Sequence, residues 1–186
     1  MNRKLSTILM VVFVALVFVA CDGDKKKNNK QQSLSTMEES KGDSTMYGVC
    51  GDNTGMHVLE LITVQGDTLS YVFDVEDGAT VKGGILAGDR LAVVGYKNAD
   101  GENEATEVLN LTTLMGKWRS IDKQFELMED GTVLSGVKEE SQPWPAWKVY
   151  NGKLLLNKDT FSVNALGADS LYLENAHGIF TFTRQK

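Results

Sequence analysis

The thiol of cysteine and the imidazole of histidine are the side chains with the most distinctive chemistry in this sequence, since they can act as nucleophile and base or bind a metal. Cys50 lies seven residues before His57, a pair that could act as thiolate and base, and His177 is the other of the two histidines. A nucleophilic cysteine needs a neighbour that lowers its pKa, and no motif around Cys50 supplies one. A lone histidine is more often structural than a metal ligand. We expect no thiol catalysis, no metal and no cofactor.

Carboxylates are abundant but follow no catalytic pattern. Glu139 and Glu140 are adjacent, and the remaining acidic residues mostly flank glycines. Glycosidases need two carboxylates at a defined separation across a cleft, which sequence spacing alone does not show. The sequence contains no phosphate-binding loop, dinucleotide fingerprint or nucleophile elbow. We therefore predict that the protein is not an enzyme, with a hydrolase based on Cys50 or a carboxylate pair as an alternative.

The N-terminus has the pattern of a secretory leader. Arg3 and Lys4 precede a run of thirteen apolar residues, Ile8 to Ala20. A positive segment, an apolar segment and a small residue are the parts of a signal peptide. A membrane-spanning helix needs about 18–20 apolar residues, so this run is too short to be one. The sequence predicts a signal peptide over residues 1–20.

Cys21 follows that leader directly. The segment Phe18-Val19-Ala20-Cys21 resembles the lipobox of bacterial lipoproteins, although phenylalanine replaces the usual leucine. The resemblance implies cleavage before Cys21, acylation of that residue and attachment to a membrane of the cell envelope. We expect the outer membrane, although Asp22 resembles a signal that retains some lipoproteins in the inner one. Ordinary secretory cleavage with an incidental Cys21 is the alternative.

Charge and composition exclude some classes of binding partner for the mature chain. Without Arg3 and Lys4 the chain has 17 basic and 25 acidic residues, a net charge of −8. Such acidity argues against binding to nucleic acid or, by charge, to anionic lipid. If Cys21 is acylated, Cys50 is the only remaining thiol, so no intrachain disulfide can form.

Residues 21–45 are predicted to form a flexible linker after the acylated cysteine. From position 22 onward only Leu34 and Met37 are sizeable apolar residues, and five lysines balance five acidic residues. Such a segment cannot bury enough surface to offset its ordering entropy. A polar chain of this length reaches about 25–30 Å, enough to hold a folded body clear of the lipid headgroups.

The remaining residues, 46–186, have the pattern of an all-β protein. Glycine next to aspartate or asparagine, as in tight hairpin turns, recurs at positions 66–67, 77–78, 88–89, 100–101, 130–131, 151–152 and 167–169. Between these turns, β-branched and aromatic runs predict strands over residues 58–64, 68–75, 90–96, 106–111, 147–150, 154–156 and 179–183. The spacing of Trp118, Ile121, Phe125 and Met128 also fits one face of a helix, but the flanking glycines favour two strands and a turn.

The body is expected to contain two small antiparallel barrels. Residues 46–112 resemble an OB-type barrel, through the turn and buried strand of residues 86–96. OB folds often bind oligonucleotides, but only Lys82, Arg90 and Lys97 in this half are basic, so we expect no nucleic acid there.

The second half, residues 113–186, resembles the compact lipocalin-like domains of Bacteroidetes lipoproteins. The resemblance lies in Gly116-Lys117-Trp118 at its start and in the last strand, which ends at Arg184. It implies a meander barrel in which Trp118 closes one end and packs against Arg184, a cation–π contact worth about 0.5–2 kcal/mol. An eight-stranded barrel has room for side chains or for one small ligand.

An aromatic segment is the strongest candidate for ligand binding. Both prolines and two of the three tryptophans lie in residues 142–147, which should form a loop at a barrel mouth. Trp144 and Trp147 could form a lid that stacks on a ligand or a plug that covers the core, and the plug is the commoner case. Tyr150 and Tyr172 are further candidates for the same pocket.

Together these features predict a lipid-anchored, non-catalytic envelope protein that binds a small apolar or carbohydrate ligand or a protein partner. An alternative is an envelope-stress or surface-sensing lipoprotein, since NlpE-type lipoproteins also combine an OB-type and a lipocalin-like barrel. Here the order of the barrels is reversed and the Cys-x-x-Cys motif of those proteins is missing.

Overall fold

The computed structural model describes residues 42–73, 80–136 and 143–186. The predicted signal peptide, Cys21, nearly all of the linker and the turn at 77–78 lie outside the described residues. Residues 43–186 form one compact unit. Apart from one four-residue helix the described elements are β-strands, which confirms the predicted all-β fold. No helix in this part of the chain has the length and apolar character that crossing a membrane requires.

The first sheet has six strands. They are β1 (Met46–Cys50), β2 (Val58–Thr63), β3 (Thr68–Val72), β4 (Thr80–Lys82), β5 (Arg90–Lys97) and β6 (Asn103–Asn110). β1 pairs with β2 and β5, β2 with β3, and β5 with β6. The ring closes where β3 runs parallel to β6, with Tyr71 opposite Asn103. Five strands thus form a closed barrel of the predicted OB type, and β4 adds to β6 outside the ring.

The second sheet has eight strands. They are β7 (Gly116–Arg119), β8 (Gln124–Leu127), β9 (Val133–Ser135), β10 (Trp147–Tyr150), β11 (Lys153–Leu156), β12 (Asp159–Leu166), β13 (Ser170–Asn175) and β14 (Gly178–Arg184). Each pairs with its neighbour in the chain except β9 and β10, and β14 pairs with β7. A single bridge between Thr132 and Ala146 spans the gap between β9 and β10. The sheet is a nearly closed up-and-down barrel, as the meander prediction requires.

Glycine-containing turns occur where the sequence predicts them within the described residues. A two-residue turn joins β10 to β11, where Asn151 and Gly152 have φ of 48° and 75°. Positive φ at both central residues defines a type I′ turn, whose twist matches that of the flanking strands. Because the second barrel alternates up and down, its turns fall into two sets, one at each end of the barrel.

The ambiguous stretch around Trp118 is two strands, β7 and β8, and the helical alternative there is wrong. A short helix, α1 (Leu111–Leu114), lies between the two barrels instead. The buried Asn110 caps it, since the Asn110 side chain accepts a hydrogen bond of 2.9 Å from the Thr113 N–H. The strand predicted over residues 106–111 therefore ends one residue earlier, because Asn110 turns the chain into the helix.

The two barrels are joined by packing as well as by the chain. Ala92 and Leu109, which lie on β5 and β6 of the first barrel, belong to the core cluster of the second. Tyr47 packs on the same cluster, and its hydroxyl donates to the Val149 carbonyl at 2.5 Å. The first barrel keeps a separate core of its own around Leu59, Leu61 and neighbouring residues. One end of the second barrel is therefore covered by the first.

Candidate functional site

The covered end of the second barrel is closed by a tryptophan and an arginine. Trp118 is fully buried, and its Nε1 donates to the Leu114 carbonyl at 2.8 Å. The guanidinium carbon of Arg184 lies 4.2 Å from the centre of the Trp118 ring. Arg184 also donates to the carbonyls of Met115, Thr113 and Ala168. Burial lowers the pKa of Arg184, an effect that the charge of Asp169 opposes.

Gly116 makes this closure possible. Its φ of +118° is a conformation that side chains with a Cβ rarely adopt, and a Cβ there would lie 2.6 Å from Arg184 Nη1. The arginine thus occupies the space that a side chain would need. The arrangement explains how Gly116, Trp118 and Arg184 hold the barrel end together.

The interior of the second barrel is filled by its own side chains. Trp118, Phe161 and Phe182 are the largest of the fully buried side chains, each at most 2 % exposed. The other members of the cluster are mostly leucines and valines, and together with Trp118 and Phe182 they represent every strand of the barrel. An eight-stranded barrel is just wide enough for such packing. The residues that face inward therefore occupy the volume that a small ligand would need.

Trp144 covers the opposite end, the mouth of the barrel. Its ring makes edge contacts with Phe125 and Phe161, at centroid distances of 5.3 and 5.7 Å. Its Nε1 donates to Asp159 Oδ2 at 2.9 Å, and Lys123 Nζ lies 4.1 Å from the ring centre. These contacts hold the indole in place on three sides. They are the contacts expected of the plug rather than of a lid that is free to stack on a ligand.

The other three aromatic candidates do not join Trp144 in one pocket. Trp147 is partly buried against the core, and its Nε1 donates to the Met128 carbonyl at 2.8 Å. Tyr150 follows three residues later, so its side chain lies on the opposite face of β10. Tyr172 is 38 % exposed and alternates with the buried Leu171 and Leu173, which places it on the outer face of β13.

Sequence reasoning missed the residues that surround Trp144. Lys123 and Phe125 lie in β8 and the turn before it, whereas Asp159 and Phe161 lie on β12. Phe180, from β14, adds an edge contact to Phe161 at 5.7 Å. The alternation of β12 and β14 carries part of the signal, because it places Phe161 and Phe180 on the inward faces. Which of them lie beside the tryptophan depends on strand register, which the sequence did not specify.

The thiol and imidazole groups are spread over both barrels, with Cys50 and His57 in the first barrel and His177 in a turn of the second. Cys50 is 2 % exposed, and its Sγ lies 3.2 Å from Thr54 Oγ1. His57 and His177 are both exposed, in the β1–β2 loop and in the β13–β14 turn. No group of three or more His, Cys, Asp or Glu side chains within the described ranges is placed to hold a metal ion.

Two concave sites among the described residues lie on the outer surface of the second barrel. One groove of about 520 Å³ lies over β7 to β9 and includes Lys117, Glu126 and Lys186. Another, of about 420 Å³, lies between β14 and the end of β7 and is lined by Arg119, Ser120, Ile121, Thr181 and Thr183. Neither of these two grooves lies inside the barrel.

The second groove borders an unpaired strand edge. β14 has seven residues and β7 has four, and the two strands pair only at Thr183 with Arg119 and at Arg184 with Trp118. After Arg119 the chain turns away through Ser120 to Lys123, where the Ser120 N–H donates to the Lys123 carbonyl at 2.7 Å. The segment Gly178–Phe182 is therefore paired with β13 on one side and with no described strand on the other.

Comparison of the chain with protein-family models, with curated proteins and with solved structures finds no match.

Proposed function

We propose that this chain is a lipid-anchored, non-catalytic protein of the bacterial cell envelope that binds a partner through the outer surface of its two-barrel body. The anchor rests on the leader and on the lipobox-like segment that ends at Cys21. The binding mode rests on the structure of residues 43–186. The sequence and the described structure bear on separate parts of the proposal, so each part has its own test.

The packed interior of the second barrel is the observation that supports this function best. Trp118 and Arg184 close one end, Trp144 covers the other, and Phe161 and Phe182 lie between them at 2 % exposure or less. A ligand inside the barrel would have to displace these side chains and lose their contacts. Outer-surface residues need no such rearrangement, which favours a protein partner over an enclosed small molecule.

Exposed apolar side chains on that outer surface could contact a partner protein. Val49 and Ile62 face each other across β1 and β2, at 38 % and 40 % exposure. On the second barrel Ile121, Ile179 and Tyr172 are exposed. Single exposed apolar residues are common on soluble proteins, and their role here depends on whether a partner covers them.

Acylation is tested by metabolic labelling with an alkyne-bearing fatty acid in cells that express the full chain. We expect wild type to be labelled and to sediment with membranes, and Cys21→Ser to lose both properties. Cys50→Ser is the matched control, because it removes the other thiol without touching the lipobox-like segment, and it should be labelled like wild type. Labelling that survives Cys21→Ser would contradict the anchor.

Partner binding is tested with a photo-crosslinking amino acid at exposed positions of the full chain in intact cells. Positions 62 and 172 sample the outer faces of the two barrels, and position 53, in the polar β1–β2 loop, is the control. We expect a discrete heavier adduct from at least one of the two faces and none from the control. Adducts from neither face would contradict a partner bound through the barrel exteriors.

A further inference from the structure

The unpaired edge of β14 exposes backbone hydrogen-bonding groups in a defined pattern. The Arg184 N–H donates to the Asp169 carbonyl next to β13, and the Gln185 N–H donates to the Lys117 carbonyl of β7. Because backbone groups alternate in direction along a strand, Thr183, Thr181 and Ile179 direct theirs towards the β7 side. Thr183 pairs there with Arg119. Thr181 and Ile179 have no backbone partner on that side among the described residues.

The side chains around this edge are apolar and basic on the β7 side, whereas on the β13 side the carboxylate of Glu174 lies opposite Ile179 and accepts a hydrogen bond from Asn164. Ile179 is 66 % exposed, and Ile121, at the rim of the adjoining groove, is fully exposed. Phe180 alternates onto the inner face, next to Phe161, yet 37 % of its surface remains exposed at the mouth. Arg119 is exposed and forms no ion pair with any described residue.

We propose that the edge of β14 at Ile179 and Thr181 is a docking site for an extended peptide segment of a partner protein. This inference rests on the proposed function, because it says where and how the partner binds. The segment would continue the line of β7 and run antiparallel to β14, adding one strand to the sheet. Strand addition of this kind gains affinity from main-chain hydrogen bonds and specificity from alternate side chains.

The surroundings define the chemistry of that segment. A residue opposite Phe180 would face inward, so an apolar side chain there would cover the exposed part of the phenylalanine. The preceding residue, opposite Thr181, would face outward next to Arg119, where a carboxylate finds a partner. The third residue of the segment, opposite Ile179, would face outward like the first, and a β-branched side chain there would pack against Ile179. The predicted motif is therefore an acidic residue, then an apolar residue, then a β-branched apolar residue.

A second copy of this chain fits the edge less well. If β14 paired with β14 of another copy, the strand offered would be Gly178–Phe182, which contains no acidic residue. Arg119 would then gain no carboxylate. Charge complementarity therefore favours a foreign acidic segment, and self-association becomes an outcome that the experiment must detect.

The probe is the labelled peptide acetyl-Thr-Asp-Val-Val-Thr-amide, titrated against the full chain in detergent micelles by fluorescence polarisation and hydrogen exchange. We expect saturable binding and at least about tenfold slower exchange of the Ile179 and Thr181 amides. A peptide methylated on the backbone nitrogens of Asp and the second Val should bind about tenfold more weakly, since it loses two hydrogen bonds. A peptide with Lys for Asp should also bind more weakly.

Two pairs of variants complete the test. Thr181→Pro removes an N–H that has no backbone partner among the described residues, at a position where an edge strand tolerates proline. It should weaken binding about tenfold. Thr181→Val keeps the N–H and should bind within about twofold of wild type. Arg119→Glu should weaken binding, and Lys117→Glu, one pleat away on the same face of β7, should not. If Thr181→Pro does not fold, the N-methylated peptide tests the same hydrogen bonds.

Three results would overturn the proposal. They are undiminished binding of the N-methylated peptide, protection of amides other than those of Ile179 and Thr181, and no binding at millimolar peptide. Protection of the same two amides that grows with protein concentration and needs no peptide would assign the edge to a second copy instead. Photo-crosslinks from positions 62 or 172 would still stand in each case, so failure at this edge is distinguishable from failure of the proposed function.

Discussion

Replacing Trp144 by alanine distinguishes a plug from a lid. The substitution removes the edge contacts with Phe125 and Phe161, the hydrogen bond to Asp159 and the contact with Lys123. If the indole is a plug, these contacts stabilise the free protein and their loss lowers the free energy of unfolding. If it is a lid that works mainly by stacking on a ligand, the free protein should tolerate the change.

The structure sets the size of the expected effect. Truncating a fully buried aromatic side chain to alanine costs about 3–5 kcal/mol. Trp144 is only partly buried, so we expect a loss of about 2–3 kcal/mol in the free energy of unfolding. For a body of this size each kcal/mol lowers the melting temperature by about 2–4 °C. The variant should therefore melt about 5–10 °C below wild type.

Thermal and urea unfolding of the full chain, followed by circular dichroism, measure this difference. Tyr172→Ala is the matched control, because it removes an aromatic ring from the outer face of the same barrel and should cost less than about 1 kcal/mol. Trp144→Phe should recover part of the loss, since it keeps a ring against the two phenylalanines. A Trp144→Ala variant as stable as wild type would refute the plug.

Three further predictions concern the closed end and the junction of the barrels. Gly116→Ala should lower the free energy of unfolding in urea by about 1–3 kcal/mol. Gly178→Ala is the control and should lower it less, because Gly178 has a similar positive φ but open space around it. Equal losses would contradict crowding by Arg184. Burial, with a smaller effect from the charge of Asp43, raises the pKa of Tyr47 to about 12, despite its bond to Val149. The stabilising contribution of Tyr47 is therefore complete below about pH 10 and disappears as the pH rises towards 12. The stability of wild type relative to Tyr47→Phe should fall over that range, and a constant difference would be inconsistent with burial. Asn110→Ala should cost about 1–3 kcal/mol by chemical denaturation, because it removes the cap of α1 and leaves buried groups unpaired; a neutral result would mean that water replaces the side chain.

Much of the fold was predictable because local signals and topology agree. Glycine pairs marked hairpin turns that the structure contains, such as the one at Asn151, and β-branched runs marked strands such as β5. Strands β12 and β13 were not among those predicted. In β12 the polar residues Ser162 and Asn164 alternate with buried Phe161 and Val163, an alternation typical of a half-buried strand, so a stricter reading of period two would have found it.

The site was less predictable, because it depends on contacts between distant residues. The sequence singled out Trp144, but the phenylalanines that hold it lie 17 to 19 residues away and meet it only through strand register. Ala92 and Leu109 lie on the outer face of the first barrel, where only the packing of the second explains their burial. The unpaired edge of β14 follows from the short length of β7, which the chain ends by turning at Ser120.

The most direct test of the central claim is whether side chains fill the interior of the second barrel in solution. The measurement is a titration of the full chain in detergent micelles with an apolar naphthylamine fluorophore, with empty micelles as the blank and tryptophan emission recorded in parallel. Binding through the barrel exterior predicts no saturable binding above the blank and no change in tryptophan emission. Saturable binding of one probe per chain, with quenching of tryptophan fluorescence and competition by fatty acids or other apolar molecules, would contradict it.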